Sequence, residues 1–115
     1  MSKRRPKNYL STELKKSGLS GPEFAKLVGC VKQTISRYAL DQSPPSVGLL
    51  FVCELLFGRP YYELFPDFFE VIEDELGAAV LALTRQLERR DDASARKALK
   101  VLGQVPARMK FPKDV

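Results

Sequence analysis

Residues 20–40 read SGPEFAKLVGCVKQTISRYAL, and the reading of this stretch decides how the rest of the chain is understood. Ser20 ahead of Gly21-Pro22-Glu23 is a strong helix start. It offers a hydroxyl to cap the first N–H groups, a proline in the first turn where its missing N–H costs nothing, and a glutamate three residues on to complete a capping box. Phe24 and Leu27 give this helix its apolar side, and Gly29 ends it. Gly29-Cys30-Val31 then forms a turn, and a second helix of about Lys32 to Leu40 follows. In that helix Ile35 is the inward residue, while Lys32, Gln33, Ser36 and Arg37 fall on other faces. Two helices joined by so short a turn need a small residue where they cross, and Ala25 supplies it.

Working outward, residues 1–8 (MSKRRPKN) hold no apolar residue after the initiator and are expected to form a flexible basic arm. A helix of about Tyr9 to Ser17 places Leu10 and Leu14 one turn apart and stops at Gly18. Beyond the central stretch, Ser43-Pro44-Pro45-Ser46 breaks the chain, and Ser46 can cap a fourth helix, Val47 to Phe57. That helix is apolar on nearly all sides (Leu49, Leu50, Phe51, Val52, Leu55, Leu56), so it needs cover all round. A short fifth helix, Tyr61 to Phe65, is expected to end at Pro66. The longest periodic segment runs from Asp67 to about Arg90, with Phe69, Ile72, Leu76, Val80, Leu83 and Leu87 spaced by threes and fours. Asp91 to Ser94 reads as a turn, Ala95 to Val105 as a last helix, and 106–115 as an extended or disordered tail. No strand pattern emerges, so the expected fold class is all-α: five helices over 9–66, then a helical extension over 67–105.

The chain has 115 residues, 44% of them hydrophobic, enough for one core or a compact domain with an extension. Net charge is +5, and residues 1–66 hold ten basic against five acidic residues, whereas 67–115 hold nine of each. The positive excess is N-terminal, which points that half toward a polyanion. There is no histidine, so imidazole-based metal sites and nucleophile–base pairs are excluded, and two isolated cysteines cannot close a structural zinc site. Cys30 and Cys53 lie among apolar residues and read as core side chains. Glu70, Glu73 and Asp74 fit a solvated helix face, so no catalytic constellation, metal or cofactor is expected. Val47 to Phe57 is too short to span a bilayer and is interrupted by Glu54; with a polar N-terminus, the expectation is a cytoplasmic protein without membrane partners.

The spacing Phe24-Ala25, Gly29, Ile35, with Gly18-Leu19-Ser20 before it, Pro45 and an apolar helix after it, and Leu64-Phe65 at the end, resembles the phage-repressor and Cro (XRE) family of helix-turn-helix proteins over about residues 9–66. The resemblance implies a lambda-repressor-like five-helix domain whose recognition helix, 32–40, enters the major groove. Lys32, Gln33, Thr34, Ser36 and Arg37 would then read bases, Arg or Lys donating to guanine and Gln pairing with adenine. Phosphates would meet Ser20 and Gly21 at the start of the preceding helix, Gln42 and Ser43 in the following loop, and Lys3, Arg4, Arg5 and Lys7 in the arm. Three positions depart from the family pattern: Gly21 where a glutamine is common, Leu14 and Ala39 in place of an Arg–Glu pair, and Val31 where a Ser or Thr cap is usual.

Functionally this implies a sequence-specific transcriptional regulator, a repressor holding a palindromic operator as a homodimer on double-stranded DNA. Leu56, Phe57, Phe69, Ile72, Leu76, Val80, Leu83 and Leu87 are the expected dimer interface, the alternative being that the C-terminal helices cap their own subunit's core. The competing function is an antitoxin or phage-encoded interaction module whose C-terminal helices bind a partner protein.

Overall fold

The computed structural model describes residues 8–111, and every regular element among them is a helix. The first three are α1 (Leu10–Ser17), α2 (Gly21–Val28) and α3 (Lys32–Ala39). They are followed by α4 (Val47–Phe57) and the single turn α5 (Tyr61–Leu64). The chain then forms α6 (Pro66–Glu88), α7 (Ala93–Gly103) and the short α8 (Val105–Arg108). Two compact units divide at residue 68/69, inside α6.

The first unit closes around Leu10, Phe24, Leu49, Cys53 and Leu64, all fully buried, with Phe65, Ala25 and Ile35 nearly so. Each such Leu or Phe contributes about 1.5–3 kcal/mol by leaving water. Phe24 of α2 stacks on Phe57 of α4 at a centroid distance of 5.9 Å. Ser46 caps α4 by accepting from the Leu49 N–H over 3.1 Å. The Tyr9 N–H donates to the Leu64 carbonyl over 2.8 Å, which ties the start of α1 to the end of α5.

Asn8 was expected in the flexible arm, and the structure corrects this. It is 6% exposed. Its Oδ1 accepts from the Leu10 N–H over 3.1 Å, and its Nδ2 donates to the Tyr38 carbonyl over 2.9 Å. A short amide side chain beside a helix start satisfies otherwise orphaned main-chain groups, and here it also bridges to α3. α5 ends before Pro66 as expected, but Pro66 also opens α6, one residue ahead of the expected Asp67, because proline is suited to a helix's first position.

Among the described residues of the second unit, Leu87 and Ala95 are the buried apolar ones. The Asp92 carboxylate accepts from the Ala95 N–H over 2.8 Å and so starts α7 at Ala93, two residues earlier than the apolar pattern indicates. The Arg90 guanidinium forks onto the same carboxylate at 3.0 and 3.1 Å. The tail was expected to be extended or disordered from Pro106, but Pro106 sits in the first turn of α8. There a missing N–H is tolerated, so the proline continues helical structure instead of ending it. Residues 73–88 and 93–108 are helical paths of about 22 Å each. Their similar lengths bring the chain back to the level of Glu73. The Glu73 carboxylate accepts from the N–H groups of Lys110 and Phe111 at 2.8 and 2.9 Å. The Met109 methyl carbon lies 3.6 Å from where a β-carbon on Gly77 would stand.

Candidate nucleic-acid interface

The pair α2–α3 is built as its residues require. Ser20 Oγ accepts from the Glu23 N–H over 3.2 Å, and Glu23 Oε1 accepts from the Ser20 N–H over 2.8 Å, a complete capping box. That main-chain bond, followed by the Ser20 hydroxyl, holds the Glu23 carboxyl below its ordinary value of 4.5. Gly29 turns the chain with φ 87°, a left-handed value that suits a residue without a β-carbon. Ala25 and Ile35 are buried where the helices cross.

The capping box narrows the expected phosphate contact. The Ser20 N–H is taken by Glu23, so Gly21, at the first position of α2, keeps the main-chain N–H that no helix bond can use. The aliphatic stem of Lys32 passes Gly21, with Cγ 3.5 Å from the position a β-carbon would occupy. Lys32 therefore spans from α3 toward the start of α2, joining two groups that the sequence reading kept apart.

On α3, Lys32, Gln33, Ser36 and Arg37 are exposed, and Thr34 is half-buried on the flank. Ile35 faces inward at 4% exposure, so Gln33 and Arg37, two residues to either side of it, form the opposite surface, while Lys32 and Ser36 stand on the flanks. No hydrogen bond or ion pair holds the side chains of Lys32, Gln33 or Arg37 among the described residues. Val31 precedes α3 without a side-chain cap. The far end is better secured: the Asp41 N–H donates to the Tyr38 carbonyl over 3.1 Å and the Gln42 N–H to the Arg37 carbonyl over 2.8 Å. This double closure needs a left-handed residue, and Asp41 takes that role with φ 61°, where glycine or asparagine is usual. Gln42 is exposed and Ser43 half-buried just beyond it. Lys3, Arg4, Arg5 and Lys7 lie outside the described residues.

Leu14 and Ala39, read as an apolar replacement for an ion pair, are both half-buried. A charged tie exists one residue earlier. Glu13, 8% exposed, accepts from Arg59 Nη1 over 3.4 Å, and Lys16 Nζ lies at 3.4 Å on the same oxygen. Arg59 also reaches Glu63 at 3.4 Å and stacks 5.4 Å over the Tyr9 ring. Neither Glu13 nor Arg59 stood out in the sequence, because the pair is separated by 46 residues and each residue alone reads as a surface charge.

The expected dimer residues divide into groups. Phe57 packs on Phe24 within its own unit, and Leu87 is 7% exposed; neither faces outward as a partner surface requires. Phe69 and Val80 are half-buried. Leu56 is exposed, and Ile72, Leu76 and Leu83 form an exposed stripe on α6. Burial pushes the Cys53 thiol up to about 12, leaving it inert, while Cys30 is half-buried and free. Among the described residues no grouping of Cys, Asp and Glu could hold a metal ion, and no helix is long and apolar enough to cross a membrane. No protein-family model, curated protein or solved structure matches the chain.

Proposed function

We propose that this chain is a sequence-specific DNA-binding regulator of the helix-turn-helix type, acting through α3. One observation carries the reading. Gln33 and Arg37 stand one turn apart on the exposed side of a short helix whose inward residue is the buried Ile35, with Lys32 and Ser36 exposed on its flanks, and none of the three long side chains makes a hydrogen bond or ion pair among the described residues. A rigidly mounted helix presenting free Lys, Gln and Arg is what major-groove readout needs, because bidentate donors discriminate only when their base is fixed. The charge distribution supports it: residues 1–37 hold nine Lys and Arg against two Glu. In this reading the Gly21 N–H and the Lys32 ammonium take one phosphate, and Gln33 and Arg37 read bases.

The exposed α6 stripe of Ile72, Leu76 and Leu83 supports pairing of two copies, which a palindromic site requires. Repression follows from occupancy of such an operator. Selection of bound duplexes from a random pool by the full chain tests the reading. The expected result is a short inverted repeat with half-sites about 34 Å apart; a pool that stays random under repeated selection overturns it.

A further inference from the structure

Helix α4 carries two rows of side chains with opposite fates. Leu49 and Cys53 form the buried row. Val47, Phe51 and Leu55 follow the same four-residue spacing and are 84%, 61% and 71% exposed. Rows four residues apart are the ridges through which helices interlock. Beside this ridge runs an open groove of about 220 Å³, lined by Val47, Leu50, Phe51 and Glu54 of α4 and by Tyr61 of α5. It is smaller than the roughly 300–1,000 Å³ of a small-molecule site and suits an inserted side chain.

The charge around the groove indicates what would fill it. Glu54 is the charged residue among its lining, and from Tyr38 to Phe68 the first unit holds four acidic residues, Asp41, Glu54, Glu63 and Asp67, and a single basic one, Arg59. Arg59 is engaged by Glu13 and Glu63 and stacks on Tyr9, and Glu54 in the groove forms no ion pair among the described residues. A two-fold contact between this face and the same face of a second copy brings a Glu54 carboxylate from each copy onto one apolar surface whose lining holds no cation to offset them. We infer that the α4–α5 groove is a docking site for an amphipathic basic helix of a different protein. Such a helix sets an apolar residue between Phe51 and Tyr61 and a Lys or Arg against Glu54.

The inference stands apart from DNA reading, because no residue of α3 takes part. Its test uses the full chain and two labelled amphipathic peptides of roughly 18 residues, one of Leu and Lys, the other of Leu and Glu, long enough to be helical once docked. Fluorescence anisotropy is expected to show binding of the Leu/Lys peptide only. Phe51→Glu and, separately, Leu55→Ser should weaken it by about tenfold or more, as loss of an interface anchor does. Glu54→Lys should transfer the preference to the Leu/Glu peptide, whereas Glu88→Lys, remote in sequence and exposed, should leave both unchanged. Equal binding of the two peptides, binding of neither, or equal effects of Glu54→Lys and Glu88→Lys overturns the inference. So does a fall in sedimentation mass on Phe51→Glu, which would make a second copy the occupant.

Discussion

The side-chain amide of Asn8 donates to the main-chain carbonyl of Tyr38 over 2.9 Å, fastening the entry to α1 onto the last turn of α3. The bond is part-buried and spans 30 residues, so it fixes the helix that carries the exposed Lys, Gln and Arg. Asn8→Ala removes it together with the cap on Leu10. A loss of about 1–2 kcal/mol in urea unfolding is expected, with a parallel loss of DNA affinity. Removing residues 1–7 while keeping Asn8 takes away the four cations Lys3, Arg4, Arg5 and Lys7, and should weaken binding and flatten its salt dependence.

Arg59 touches Tyr9, Glu13 and Glu63, holding α1 against the start of α5. Arg59→Ala leaves the buried Glu13 with Lys16 alone and should cost about 1.5–3 kcal/mol by thermal or urea unfolding, the range for a hydrogen bond to a charged group. Arg59→Lys should recover only part of this. An ammonium cannot serve two carboxylates in a fixed fork while stacking on a ring.

Acid should destabilise the fold through two capping carboxylates. The Ser20 N–H lowers Glu23 below 4.5, and the Arg90 guanidinium lowers Asp92 below 3.8. Groups lowered in the folded state contribute stability that is complete above their unfolded values and is lost as pH falls through the folded ones. The melting temperature should therefore hold steady above about pH 5 and fall below about pH 4.5. Glu23→Gln should reduce the slope of that fall, and an unchanged slope would remove the capping carboxylate from the account.

Asp41 adopts a left-handed backbone, φ 61°, to close α3. Asp41→Gly should stabilise the protein by about 0.5–1 kcal/mol, because glycine takes that conformation without strain. Destabilisation in urea would mean that the aspartate side chain matters more than its backbone.

Much of this architecture was legible in the residues because its signals are local. Ser20 and Glu23 announce their capping box, Val31 its absence, and Ser46 with Gly58 bound α4 at both ends. Whatever depends on residues meeting across the fold was not legible. Asn8 looks like the end of a polar arm until Tyr38 is beside it. Glu13 and Arg59 look like solvated charges until both meet at α1. Pro106 carries the same ambiguity in sequence as Pro66, since proline ends one helix and begins another with equal ease. On α6, periodicity identified an apolar side but not which part its own unit covers. Leu87 is turned in, whereas Ile72, Leu76 and Leu83 remain exposed. The exposed surface of α3 was legible because Ile35 is the inward residue of so short a helix, and the other positions follow by rotation.

If Gln33 and Arg37 read bases, the affinity of Gln33→Ala and Arg37→Ala for the selected duplex and for random DNA at one salt concentration will separate the two kinds of binding. Loss of a bidentate contact costs about 1–3 kcal/mol on the specific site only. Specific affinity is expected to fall by about 5- to 150-fold while random-DNA affinity changes little for Gln33→Ala and modestly for Arg37→Ala. If both variants bind the selected duplex as tightly as the unmodified chain, α3 is not the reading helix.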